Sequence, residues 1–308
     1  MAKFEESLNA LAAHQRLKRT QTKHFSDLGP DQLQQLRAVW SRLPDPERIS
    51  LLATLKRQAE EDALVDFDAI YQMATEDPNA DVRRVAIAAS VDDESPALLA
   101  RLLDLCAHDP EAMVREAAAE RLAGFAYEAE VGKLTQDDAR RIEAVLLERA
   151  QSETEAATVR GAALASAGYF STERVRAEIR RALNRSGLRV SAIRAIGRNI
   201  DPVWLETLAE QMGSEDPDVR REAAEAAGNY EEMVDALADL VDDPEFSVRL
   251  AAIASLGRIG GAEARDILVY CHESADPSIR QAAASALEEI ESAEDPLGGF
   301  GSFADNEG

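Results

Sequence analysis

Sulfur, aromatic rings and positive charge are all scarce in this sequence, and each scarcity excludes something. Two cysteines, Cys106 and Cys271, cannot make a disulfide framework. They fall about five sequence repeats apart, roughly 40–50 Å at about 8–10 Å per helix layer, which also forbids a bond between them. The expected compartment is the reducing cytosol. Aromatic residues are only 5 % of the chain, so the core has to be built from aliphatic side chains. No stretch approaches the roughly eighteen apolar residues of a membrane span. The opening Met1-Ala-Lys-Phe-Glu-Glu-Ser-Leu has no apolar leader segment. Alternating apolar and polar runs bounded by hairpin turns are missing, which argues against strands. There is no G-x-S-x-G, no Walker A and no G-x-G-x-x-G, so no nucleophile elbow or nucleotide loop is expected. The net charge is −24, and it is uneven: residues 1–60 carry +3 and the remainder −27. Such a surface argues against a general binder of phosphate backbones and favours basic or neutral partners.

What the chain has in abundance is repetition. An apolar residue followed by arginine recurs at Val82-Arg83, Val114-Arg115, Val159-Arg160, Leu188-Arg189, Val219-Arg220, Val248-Arg249 and Ile279-Arg280. Five of the six intervals lie between 29 and 32 residues, long enough for two short helices and two turns. The exception, from 114 to 159, contains an insertion around residues 127–138. A fixed period of this size marks a repeat array. Apolar residues at three- and four-residue steps, as in Val203, Leu205, Leu208 and Met212, predict amphipathic helices. Asp-Pro pairs before the arginine read as helix starts, with Asp as cap and Pro at the first helical position. Gly168, Gly197, Gly228 and Gly257 read as C-terminal stops. Alanine-rich second helices, such as Ala223, Ala224, Ala226 and Ala227, allow close helix approach.

The pattern Asp-Pro-x(2–4)-apolar-Arg-x-x-Ala-(Ala/Ile)-x-x-(Leu/Ala)-Gly resembles the HEAT repeat, in particular the bacterial variety known from phycobilisome lyase subunits. The resemblance covers roughly residues 66–290, and it implies an all-α, right-handed α-solenoid of about seven to eight helix pairs. A degenerate unit at 31–61 precedes it, with Leu33 to Leu43 and Arg48 to Ala59 as its helices. The expected organisation is an N-terminal helical segment at 1–28, a solenoid at 29–290 and a disordered acidic, Gly-rich tail at 291–308. Phe4, Leu8 and Leu11 share one helical face, suited to capping the array more than to a membrane surface. Phe300 and Phe303 form either a docking motif or part of a solvated tail.

The resemblance also implies a structural ladder between repeats. Its members here would be Asp77, Asp109, Asp216, Asp243 and Asp276 with Arg83, Arg115, Arg160, Arg189, Arg220, Arg249 and Arg280. Arg160 follows Glu153 and Glu155 but no Asp-Pro, and Arg189 has no acid shortly before it, so the ladder should weaken there.

One local anomaly stands out. Residues 171–200 hold eight arginines against Glu173 and Glu178, a net +6 inside an acidic array. Arg174, Arg181 and Arg185 are spaced to share one helical face, and Arg194 with Arg198 share a face of the next helix, which the resemblance places on the concave side. Arginine forks match carboxylate and phosphate, so these five are candidates for binding an acidic partner segment. A solvated face, or neutralisation by acidic neighbours, is the competing reading.

Metal sites are not expected. Repeated His-Glu pairs hold iron in deoxyhypusine hydroxylase, a HEAT-repeat enzyme, but this chain has only His272-Glu273, and His14, His24 and His108 lack the following Glu. Cys106 with His108 and Cys271 with His272 offer two ligands each, where structural zinc takes about four. The sequence therefore points to a non-enzymatic, cytoplasmic scaffold binding a protein or peptide on its concave surface, without cofactor. Its alternatives are a lyase-like bilin chaperone and a nucleic-acid-binding helical repeat; the oligomeric state is left open.

Overall fold

The computed structural model describes residues 2–294, which contain helices and turns and no strand. Phe300, Phe303 and the rest of the expected tail beyond Glu294 lie outside the described residues. Two units are formed, Met1–Ser166 and Ala167–Gly308.

In the first unit, α1 (Ala2–Ala12) and the short α2 (Arg19–Thr22) lead into α3 (Pro30–Trp40), α4 (Asp45–Glu61), α5 (Asp68–Ala74) and α6 (Ala80–Ala89). Then come α7 (Pro96–His108), α8 (Ala112–Glu130), α9 (Gln136–Gln151) and α10 (Ala157–Ala167), whose last residue begins the second unit. Within this unit the even-numbered helices α4, α6 and α8 stack on one another, while α3 packs on α5 and α7 on α9. Residues 127–138, the expected insertion, form the last turn of α8, a short link and the first turn of α9. The extra length is thus absorbed by two longer helices, of 19 and 16 residues. Phe4, Leu8 and Leu11 are buried with Phe25, Leu28 and Leu36, and the Phe4 ring meets Phe25 edge-on at 5.8 Å. The apolar face of α1 is therefore consumed by the core.

The second unit contains α11 (Glu173–Leu183), α12 (Arg189–Asn199), α13 (Leu205–Met212), α14 (Pro217–Ala227), α15 (Val234–Ala238), α16 (Phe246–Ile259), α17 (Gly261–His272) and α18 (Pro277–Glu294). Its second helices α12, α14, α16 and α18 stack in that order, and α15 lies against α17. No helix among the described residues is long and apolar enough to cross a membrane.

Two sequence expectations about helix ends need correcting. The first concerns glycine. Gly197 and Gly257 lie inside α12 and α16, Gly168 follows α10, and Gly228 ends α14 in right-handed geometry, with φ −61°. The positive-φ ends are instead Ile200 (φ 48°) and Gly260 (φ 71°). Packing explains the internal glycines. A Cβ on Gly257 would sit 2.8 Å from the Cβ of Ala286, and one on Gly197 would sit 3.0 Å from both Cα and Cβ of Ala226. Glycine on one second helix and alanine on the next let the backbones touch.

The second correction concerns Asp-Pro. Asp216 and Asp276 take the capping role, accepting the N–H of Asp218 and Ser278. Asp77, Asp109 and Asp243 stand two residues before the cap positions Asn79, Glu111 and Glu245 and are used differently. The difference is one of spacing: the apolar residue of the apolar-Arg pair comes three residues after the first kind and five after the second.

The C-terminal ends of the second helices carry a seam that the sequence did not announce. Asn199 Nδ2 donates to Gly168 O (3.0 Å) and Phe170 O (3.1 Å), and Asn229 Nδ2 donates to Gly197 O (2.9 Å). Ser255 Oγ donates to Ala224 O (2.8 Å) and Tyr230 Oη to Ile196 O (3.0 Å). Each side chain comes from the following repeat and donates to a carbonyl in or just beyond the last turn of the previous second helix, where carbonyls outnumber backbone donors.

The glycine contacts make a test. Gly257→Ala forces apart two touching backbones and should cost about 1–3 kcal/mol, the range for overpacking. Gly228→Ala meets only the end of the Arg258 side chain, which can swing aside at the cost of its bonds to Glu225 O and Ser255 Oγ, and should cost less than Gly257→Ala. Thermal unfolding of both variants checks this; equal midpoints would mean that α16 and α18 have room to separate.

Candidate functional site

The apolar residue of each repeated pair is core: Val82, Val114 and Val248 are fully buried. One position later on the helix, the arginine is carried to the seam between repeats. Nη1 of Arg83 donates to Asp77 O (2.8 Å) and Pro78 O (3.1 Å), the carbonyls of the turn that starts its own helix. Arg115, Arg220, Arg249 and Arg280 repeat this grip on Asp109/Pro110, Ser214/Glu215, Asp243/Pro244 and Ser274/Ala275. The other edge of the guanidinium reaches the next repeat. Arg83 forks onto Asp109 through Nε (2.9 Å) and Nη2 (2.8 Å), and Arg220 onto Asp243 (2.7 and 2.9 Å). Such bidentate, charge-assisted pairs are the strong hydrogen bonds of proteins.

The structure places the other ladder candidates as follows. Asp77 accepts from Arg48 Nη1 and from Trp40 Nε1, both at 2.7 Å, so the degenerate first unit supplies its own arginine. Arg115 forks onto Glu155 (2.8 and 2.7 Å), the glutamate standing where an Asp-Pro is missing. Arg189 donates to the Gln211 amide oxygen (2.7 Å), a neutral rung. Arg160 Nε bonds Ala150 O at 3.2 Å. Asp216 and Asp276 cap helices as described above, and the bonds that the structure gives their carboxylates come from backbone N–H groups. Rungs built from Arg48, Trp40 and Gln211 escaped the sequence reading; the signal for Arg48 was Asp45-Pro46-Glu47-Arg48, one more Asp-Pro-to-Arg spacing without the apolar residue.

The arginine-rich segment lies on α11 and α12. Thr172 opens α11 by accepting the Val175 N–H, and Val175, Ile179 and Ala182 bury one face. The opposite face carries Arg174, Arg180 and Arg181, all exposed; Arg185 and Arg198 are half-buried and Arg194 is exposed. Acids from outside the segment reach two of them, and acids within it reach two more. Arg194 forks onto Glu222 of α14 (2.8 and 2.7 Å), a carboxylate with only 3 % of its side chain exposed. Arg176 pairs with Asp201 (2.5 Å), Arg180 with Glu173 (2.8 Å), and Arg181 with the buried Glu178 (2.5 Å). Arg198 lies over the Tyr169 ring (5.3 Å) and Arg180 over Trp204 (5.4 Å). The +6 of this segment is therefore a property of the sequence window; in space Asp201 and Glu222 offset two charges. What is left is a set of guanidiniums held in place by carboxylates and rings, with Arg181 and Arg194 still 55 % and 46 % exposed.

Elsewhere, burial pushes the thiol of Cys106 up to about 12 and that of Cys271 up to about 11, so both are poor nucleophiles at neutral pH. Among the described residues no three His, Cys, Asp or Glu side chains are placed to hold a metal ion. His272 Nδ1 donates to Arg280 O at 3.3 Å. Asp68, at the start of α5, is raised to about 6 by burial and by neighbouring Asp66, Asp93 and Asp92.

Residues 186–245 and 234–296 match the family model of HEAT repeats. No curated protein matches. Among solved structures, an engineered protein is 22 % identical, covering 63 % of this chain and 96 % of its own, with a TM-score of 0.40. YibA of E. coli is 17 % identical, with 90 % of this chain and 99 % of that one covered and a TM-score of 0.47. Importin beta is 14 % identical over 93 % of this chain and 46 % of its own, again at 0.47. These matches do not single out the phycobilisome-lyase variety.

Two predictions follow from the ionised groups. The Arg220 fork holds the Asp243 carboxyl below its usual range, so the pair stabilises the fold above the unfolded pKa, and that contribution is lost as pH falls through the folded value. Asp243→Asn should cost roughly 3 kcal/mol at pH 7, as for other broken buried pairs. Its deficit against wild type should shrink below about pH 4; a deficit constant from pH 7 to 3 would show that the charge contributes nothing. Asp68 has the opposite sign: its folded pKa is raised, so ionisation between its ordinary value and about 6 destabilises the fold. Asp68→Asn should therefore raise the melting temperature more at pH 7.5 than at pH 4.5, and an equal effect at both would refute the assignment.

Proposed function

We propose that this chain, a HEAT-repeat protein, is a non-enzymatic scaffold of the cytosol that binds an acidic segment of a protein partner on the α11–α12 surface of its second unit. The observation that carries this reading is the state of Arg181 and Arg194. Each is oriented by a buried carboxylate, Glu178 or Glu222, yet remains about half exposed. A guanidinium with five donors can satisfy one carboxylate and still present an edge to another. Arg198 and Arg180, stacked on Tyr169 and Trp204, add planar, preordered donors beside them. Preordering removes part of the entropy cost of docking. Arg174 and Arg185 extend the same surface. The large negative charge elsewhere repels an acidic segment from the rest of the molecule and steers it here.

The test is a cross-linked pull-down from native extract, analysed by mass spectrometry and by absorbance from 260 to 700 nm, with the intact chain and with Arg174→Glu/Arg181→Glu/Arg185→Glu. A stoichiometric protein whose affinity drops about tenfold or more in the variant supports the proposal. A partner retained equally by both moves the site elsewhere. A visible band would instead favour the chromophore chaperone, and co-eluting nucleic acid the helical-repeat nucleic-acid binder.

A further inference from the structure

Two turns of the second unit share one spacing. Gln211-x-x-Ser214-x-Asp216-Pro217 precedes α14, and Cys271-x-x-Ser274-x-Asp276-Pro277 precedes α18. In each, the serine Oγ accepts the aspartate N–H at 3.2 Å, and the aspartate in turn caps the helix. Neither turn offers a carboxylate to the arginine one repeat earlier, because serine occupies the place that Asp243 occupies before α16. At the first turn Gln211 compensates by accepting from Arg189. At the second, the matching residue is Cys271, whose side chain ends at sulfur.

Arg249 is the arginine left facing this substitution. Its Nη1 is fixed on Asp243 O (2.6 Å) and Pro244 O (3.1 Å), as in the filled rungs, and its guanidinium lies 5.4 Å from the Phe246 ring centroid. Its Nε and Nη2 have no protein partner among the described residues. Arg280 keeps the same two atoms unpartnered, but Arg249 is the one that stands between two repeats. It lines a cavity of about 590 Å³ together with Tyr270, Cys271 and Ser274. The geometry is that of the Arg220–Asp243 rung with the carboxylate removed.

We propose that this cavity is a carboxylate-binding site, in which an incoming carboxylate completes the rung by accepting from Nε and Nη2 of Arg249. Ser274, whose oxygen accepts the Asp276 N–H, has its own hydroxyl hydrogen to donate to the same ligand. The walls restrict the ligand further. Asp242, Glu273 and Asp276 also line the cavity, and a bare polyanion would be repelled by them. The ligand is a carboxylate accompanied by a cationic group a few ångströms away: a free zwitterionic amino acid, or a glutamate beside lysine in a peptide segment. Tyr270, 60 % exposed, and Ile279 supply an apolar part of the wall, and the Phe246 ring backs the Arg249 guanidinium. The site is separate from the α11–α12 surface, and either can fail without the other.

Arginine side-chain Nε–H resonances of the full chain test the proposal, with glycine and acetyl-Lys-Glu-Lys-amide as probes. Arg249→Lys identifies the resonance. Saturable movement of that signal with at least one probe is the expected result. Saturation by glycine alone assigns a free zwitterion, and saturation by the peptide alone assigns a protein segment. Ser274→Asp installs the missing carboxylate and should abolish the response, at least tenfold, while raising the melting temperature. Cys271→Gln, copying the Gln211 solution, serves the same purpose if Ser274→Asp does not fold. No movement with either probe, or an unchanged response in the filled variants, overturns the site.

Discussion

Everything in this molecule that repeats depends on one guanidinium used on two edges. One edge closes the turn that begins its own helix; the other closes on the side chain of the repeat that follows. The turn carbonyls would otherwise be left without donors at a helix start, and the acids, Asp77, Asp109 and Asp243, are all less than a tenth exposed. A buried carboxylate without a partner is costly, and a bidentate arginine is the partner whose geometry suits it. Arginine thus couples local order within a repeat to register between repeats. Lysine could hold the carboxylate but not the turn at the same time.

The opposite ends of the second helices are held by a different chemistry. There neutral side chains, Asn199, Asn229, Ser255 and Tyr230, reach back to carbonyls of the preceding repeat. Between the two seams, Gly197 and Gly257 let backbones meet alanine directly. Thus α12 is tied to the following repeat through Arg189 at its start and through Asn229 at its end, and its Gly197 touches α14. On this frame, the exposed faces of helices such as α11 and α12 are free to vary, and that is where the arginine-rich surface lies. The frame supplies rigidity and the outward faces supply chemistry.

Much of the frame was legible in the sequence because it is periodic. A Val-Arg pair every thirty residues identified the array, the helix pairs and most ladder arginines before any coordinate. What escaped were the partners one repeat away that fall outside the repeated Asp-Pro and apolar-Arg positions. Glu222 neutralises Arg194 from 28 positions downstream, outside any window drawn around the arginine cluster. Gln211 does for Arg189 what no local acid could. The internal glycines imitate helix stops in sequence, because a residue without a side chain serves a turn and a tight helix contact equally well. Asp-Pro carried two readings, cap and rung, and the distance to the arginine decides between them: Asp216 and Asp276, two residues nearer, cap their helices, whereas Asp77, Asp109 and Asp243 accept from an arginine of the preceding repeat.

That difference in spacing has a consequence for how such a chain can be edited. Repeats with the five-residue spacing present the same acid to the repeat before and the same arginine to the repeat after, so one can be duplicated and the new joint still pairs arginine with aspartate. A repeat with the three-residue spacing presents serine at the joint and fits only where a neighbouring residue, as Gln211 does, makes up the loss. The array is thus modular in some places and not in others. Its permissible cut points are written in the number of residues between a proline and an arginine.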